Sequence, residues 1–314
     1  MKISSPKKKK VVENLDPDTG EAIEVKKVAP PLGPPRNELE RKQRILRAMV
    51  TYFYAIQQER IAAGLRASRL IVALHKDDQK ILADVSDSFE EIEKQLMKKI
   101  TAMLKGFNVY NRFLKEVHGV GPTIAAVLIS EFDIHDRPAP EGYSHAHTGS
   151  YTEGGILYRS RTISQWWKYA GLAPIEITSK EGEKKMIGAR KVAGQKISYN
   201  PFLKTKLLGV LASCFIKSKS PYKVFYDEHK KMREAQNWGA NPANRHRDAI
   251  RHMIKCFLMD FFYAWREIEG MPARPPYGIE KLGKSWSQIW HVKEHPCIKK
   301  EETPNDSELP NAAT

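Results

Sequence analysis

Residues 116–132 read EVHGVGPTIAAVLISEF, a charged run that turns apolar after two glycines and a proline. Glycine at 119 and 121 lets the chain bend sharply or come close to a ligand. Pro122 suits the first turn of a following helix, where its missing N–H has no partner to lose. A helix that starts here brings its positive dipole end and its unpaired N–H groups into the same turn, the arrangement that holds a phosphate oxygen. Thr123 adds a hydroxyl. Gly119, Val120, Gly121 and Thr123 are therefore the candidate phosphate grip of a helix-hairpin-helix, one that reads the nucleic-acid backbone and not its bases. A plain αα-corner, with glycines for tight packing, is the competing reading.

Two basic groups lie downstream. Over residues 180–196 six Lys/Arg stand against two Glu, a local net of +4. Lys180, Lys184, Lys185, Arg190, Lys191 and Lys196 are candidates to track a phosphate backbone. Arg247, Arg251 and Lys255 recur at spacing four with no acidic residue at that spacing to neutralise them, and form a second candidate ridge. Trp166, Trp167 and Tyr169 offer rings for base stacking. Two adjacent tryptophans on a short helix cannot both turn inward, so core packing is expected for one of them. His145 and His147, with His135, lie in a Gly/Ser-rich loop and read as solvated rather than metal-binding. Asp77 and Asp78, which follow RLIVALH, read as a solvated helix or turn.

Net charge points the same way as the basic groups. Across 314 residues, Lys+Arg 52 against Asp+Glu 37 leaves +15, a bias that favours an acidic partner such as nucleic acid or an anionic surface. Apolar runs such as 124–129 are too short to cross a bilayer, and MKISSPKKKK has no apolar stretch after its lysines, so a secretory signal is not expected. Three cysteines, at 214, 256 and 297, have neither disulfide nor zinc spacing. Cys214 and Cys256 fall in apolar helical patterns and read as small buried hydrophobes. A cytoplasmic, nucleoid-associated protein without an intrinsic cofactor is the expectation.

The elements that must position these groups are helical. Residues 1–36, with six prolines before residue 36 and the Lys7–Lys10 run, read as a disordered basic arm. Asn37 and Glu40 resemble a capping box, and an apolar stripe follows until Gly64 interrupts or ends it. A second stripe starts at Ser88, so residues 37–105 read as a helical coiled-coil arm that assembles the protein into a homodimer or higher oligomer. Residues 106–271 read as the helix-hairpin-helix domain, with a loop at 135–160. ISQWWKYAGLAP reads as a short helix stopped by Gly171. Further helices begin at Asn200-Pro201 and Ser220-Pro221, and a last one runs from about Asn244 to Glu269. Residues 272–314 read as a tail. The fold class is mainly α.

HGVGPTIAAVLISEF, SQWWKYAGLAP, SKEG…ISYNPFLKTKLLGVLASC, SPYKVFYDEHKK and RDAIRHMIKCFLMDFFYAWRE follow in one order. That order resembles the C-terminal domain of insertion sequence 110 family transposases (the 116/110/902 type), over about residues 112–268. The preceding helical arm resembles the family's coiled-coil linker. The resemblance implies DNA transposition or recombination, a structured RNA as a further partner, and a serine nucleophile eight residues after the glycine of a Gly-Leu-x-Pro motif. Gly171-Leu172-Ala173-Pro174 puts that position at Ser179. It further implies that Lys180, Lys184, Lys185, Arg190 and Lys191 hold the scissile strand or an RNA guide. Two departures stand out. The family has glycine after the serine where this chain has Lys180, and residues 1–105 hold no match to the RuvC-like domain whose four acidic residues bind metal. Magnesium would thus enter only through a partner that supplies those ligands. The expectation is a DNA-binding protein of transposase type, with half of a split recombinase or an RNA scaffold as alternatives.

Overall fold

The computed structural model describes residues 33–70, 75–139, 150–178, 184–191, 197–239, 241–292 and 294–297. It is mainly α, as the periodicities imply. Asn37 Oδ1 accepts the Glu40 N–H at 2.8 Å and opens helix α1, Glu38–Leu70. At 33 residues this helix is about 50 Å long. It runs straight through Gly64, where an expected break does not occur: a lone glycine costs a helix only ~1 kcal/mol, and neighbouring turns carry it. Helix α2, Lys76–Leu104, returns along α1, with Arg60 Nε 2.7 Å from Glu93. It starts twelve residues before the expected Ser88, and Asp77 and Asp78 fall in its first turn.

The base of this helical hairpin belongs to the main core. Leu46, Val50 and Phe53 of α1 and Ile100 and Leu104 of α2 are buried in the same cluster as Phe132, Trp166, Phe257 and Trp265. At its centre lies α3, Pro122–Glu131, buried at every position from Ile124 to Ser130. A helix with no polar stripe is stable only when other elements cover it on all sides. Helix α4, Ile163–Tyr169, is opened by a Thr162/Gln165 capping box and followed by Gly171 at φ +67°. Asn200 caps α5, Pro201–Thr205, which continues through a wide π-helical stretch, Lys206–Leu211, into α6, Ala212–Lys217. Helices α7, Lys223–Ala235, and α8, Pro242–Ile268, complete the bundle.

Two small sheets interrupt the helices. Strands β1, Arg137–Pro138, β2, Ser150–Glu153, and β3, Ile156–Arg159, form an antiparallel sheet in the order β1-β3-β2. Among the described residues this sheet takes the place of part of the loop expected over 135–160, of which residues 140–149 lie outside the described residues. Gly154 and Gly155, both at positive φ between the paired Glu153 and Ile156, make the two-residue turn that closes a hairpin. Strands β4, Pro174–Thr178, and β5, Lys184–Gly188, pair antiparallel as a second hairpin. After Met271 the chain carries two short helices, α9, Tyr277–Glu280, and α10, Trp286–Trp290. Among the described residues no helix is long and apolar enough to cross a membrane.

Candidate nucleic-acid interface

The glycine turn splits into two halves with different jobs. Gly119 sits at φ +101°, and a side chain added there would meet Phe215 Cδ1 at 2.8 Å. Its smallness serves the core, where the turn presses on α6. Gly121 is exposed at φ −82°, with nothing within 4 Å of an added Cβ. Its N–H and those of Thr123 and Ile124 have no acceptor among the described residues, and no side chain caps α3. Val120 is half-buried against the core, and the Thr123 hydroxyl is directed at Met97 Sδ, 3.8 Å away. An open cluster of N–H donors thus remains at Gly121 and the first turn of α3.

A larger feature lies at the other end of α3, roughly 15 Å along the ten-residue helix. A cleft of about 880 Å³ opens between the first turns of α1, the end of α3, the β1–β3 sheet and α4. Arg36, Arg44 and Arg47 enter it from the α1 side, Arg137, Arg159 and Arg161 from the sheet side, and Lys168 from α4. These seven cations face three carboxylates, Glu40, Glu131 and Asp133.

The carboxylates act as brackets that hold guanidinium groups in place. Asp133 takes Arg161 at 2.5 Å and Arg36 at 3.3 Å, and accepts the His135 N–H at 3.0 Å. Burial works against its charge, but His135, Arg161 and Arg36 outweigh that and hold its carboxyl well below the usual range. Glu40 bridges Arg36 and Arg44, each at 2.8 Å. Against its burial, those bonds hold it down at about 2. Glu131, its side chain 6% exposed, accepts from Arg47 at 2.9 Å, Tyr169 at 3.1 Å and Asn200 at 2.7 Å. Charge-assisted bonds of this kind fix guanidinium planes, and four cations remain in excess.

Residues expected to bind are placed unevenly. Arg190, Lys191 and Arg247 are exposed, and Lys184 reaches across the β4–β5 hairpin to Glu176 at 2.9 Å. Arg251 lies over that hairpin, its guanidinium where a side chain at Gly188 would sit. Lys255 is turned inward beneath Trp167, with Nζ 5.3 Å from the ring centre, and burial pushes its pKa down. The ridge at spacing four is therefore not one surface: α8 rotates its third cation into the bundle. Strand β5 includes Lys185, while Ser179, Lys180 and Lys196 lie outside the described residues. So do Lys7–Lys10, His145 and His147.

The aromatic residues are held within the protein. Trp166 is buried, stacked on Phe132 at 4.2 Å, with Nε1 donating to the Asp133 carbonyl. Trp167 donates to the Lys255 carbonyl, and Tyr169 to Glu131. His135 meets Asn37 and Asp133 through its two ring nitrogens.

Sequence reasoning does not find the cleft arginines. Arg44 and Arg47 lie on α1 and Arg36 just before it, but a charged face of a long helix is ordinarily just solvated, and only the docking of α3 and α4 shows otherwise. No protein-family model matches this chain, and no curated protein matches it.

Proposed function

We propose that this protein binds the sugar-phosphate backbone of DNA in the arginine-lined cleft, as the DNA-holding part of a transposition- or recombination-type machinery. The observation that carries the proposal is the set of seven cations facing three carboxylates in one concave site. Fixed guanidinium forks match phosphate oxygens and act without reading sequence. The net charge of +15 adds long-range attraction. The open N–H groups at Gly121 provide a second phosphate contact at the far end of α3. The order of motifs, which resembles that of insertion sequence 110 transposases, suggests the biological class.

The experiment is a binding series on duplex DNA, single-stranded DNA and a folded RNA at two salt concentrations. Duplex DNA is expected to bind, more weakly as salt rises. Charge reversal at two exposed positions, Arg137→Glu with Lys168→Glu, is expected to lower affinity at least about tenfold, since removing a charge-assisted bond to phosphate costs ~1 kcal/mol or more. Unchanged binding in that variant would remove the cleft from the account, and preference for the folded RNA would favour an RNA scaffold.

The resemblance extends the proposal to chemistry at Ser179, in the connection between β4 and β5. In that reading a second chain supplies acidic ligands for magnesium, and covalent attachment to DNA appears only in its presence and is lost in Ser179→Ala. We also propose that two copies meet at the tip of the arm. There Ile61, Leu65, Ile81 and Val85, from both helices of the hairpin, are between 46% and 62% exposed.

A further inference from the structure

Three histidines from three separate elements meet beside α8: His229 of α7, His252 of α8, and His291 just after α10. One ring nitrogen of each lies within 4.8 Å of one from both others. His229 Nδ1 and His291 Nδ1 are only 2.8 Å apart, and the rings are near-parallel, with centres 4.3–4.9 Å apart. None of these histidines takes part in the cleft.

Outer partners set two of the three tautomers. Asp248 Oδ2 lies 2.8 Å from His229 Nε2, and the same oxygen is held by Arg233 Nε at 2.8 Å. A carboxylate only accepts, so Nε2 carries the proton and the His229 lone pair is on Nδ1, facing His291. His252 Nε2 lies 2.8 Å from the Trp290 carbonyl, which likewise only accepts. That leaves the His252 lone pair on its other nitrogen.

We propose that His229, His252 and His291 form a zinc(II) site that fastens the C-terminal segment to the α7–α8 pair, with Asp248 as the positioning residue for His229. A carboxylate bonded to the far nitrogen of a ligand histidine is the usual support of such a site. Three imidazoles suit zinc and leave one tetrahedral position for water. Bonds of 2.0–2.1 Å need nitrogens roughly 3.4 Å apart. His291 supplies that adjustment, since it sits in a left-handed turn at φ 58° in the short tail segment rather than within a long helix. The site differs from the cofactor-free expectation drawn from sequence, and it is independent of DNA binding.

A second group, Asp260, His295 and Cys297, lies further along α8. It makes the test sharper, because it contains a cysteine sulfur and the first group does not.

The test uses tag-free full-length protein, stripped with a chelator and titrated with zinc(II), with bound metal counted by elemental analysis. One zinc per chain is expected, lost in His252→Gln and in His291→Gln and retained in Cys297→Ser. Asp248→Asn should weaken zinc affinity ~10–100-fold. Cobalt(II) in place of zinc should give ligand-field absorption without a thiolate charge-transfer band. Chelation should speed tryptic cleavage after the exposed Lys281 and Lys284, and zinc should slow it. Should His252→Gln fail to fold, His291→Gln carries the test from outside the bundle. Failure to bind zinc overturns the proposal. So does a cobalt thiolate band that disappears in Cys297→Ser, which would put the ion at the second group.

Discussion

Gly119 and Gly121 stand two residues apart, and substitution has opposite consequences at the two. At Gly119 a methyl group would meet Phe215 at 2.8 Å from a backbone at φ +101°. Gly119→Ala is expected to cost about 1–3 kcal/mol, seen as a lower melting temperature. Gly121 has open space and an ordinary φ. Gly121→Val should fold normally and weaken DNA binding equally across sequences, by shielding the N–H donors; sequence-dependent loss would contradict a backbone contact. Glu40 supplies a pH test. Its pKa is near 2 when folded against 4.5 as a free side chain, so its bonds to Arg36 and Arg44 contribute fully above about pH 4.5. That contribution is lost as pH falls toward 2. Asp133, also depressed, acts in the same direction. Stability should therefore fall on acidification through this window, and less steeply in Glu40→Gln, as thermal melts at stepped pH would read.

At the scale of elements, the helices divide between core and arm. Trp166 joins α4 to α8 through Phe262 and Trp265, and to the end of α3 through Phe132. Trp166→Ala should cost ~3–5 kcal/mol, whereas a ring displayed for base stacking would cost little stability and much affinity. The far half of the α1–α2 hairpin has no third element over it among the described residues. Leu65 and Ile81 are 56% and 62% exposed, an arrangement that a second copy would cover. Leu65→Glu with Ile81→Glu is expected to turn a dimer into a monomer in analytical ultracentrifugation and to leave the melting temperature within a few degrees. A wild-type monomer at all concentrations would exclude the arm as a dimer contact.

For the whole molecule, the decisive quantity is the cleft's excess of four cations. If duplex DNA neutralises them, log affinity should fall with log salt at a slope of about −3 to −4. A slope near zero would mean that the +15 net charge acts only as a diffuse field. The turn at Gly121 and the cleft stand at opposite ends of α3, so a single phosphate cannot occupy both. Their variants should weaken binding additively, because separated contacts act independently.

Local chemistry made part of this protein legible from sequence. The α class, the starts at Asn37 and Asn200, the stop at Gly171 and the basic balance follow from caps, periodicity and counts, which involve neighbours a few residues apart. The Gly154-Gly155 hairpin is equally local, yet the surrounding Ser, His and Pro residues disguise it as a loop. Distant contacts decided the rest. Arg47 meets Glu131 across 84 residues, and His229 meets His291 across 62. A charged helix face or a single histidine looks the same in sequence whether it meets water or a partner. Only the packing of α3 against α1 and of α4 against α8, and the return of the chain after α10, brings those side chains into shared sites.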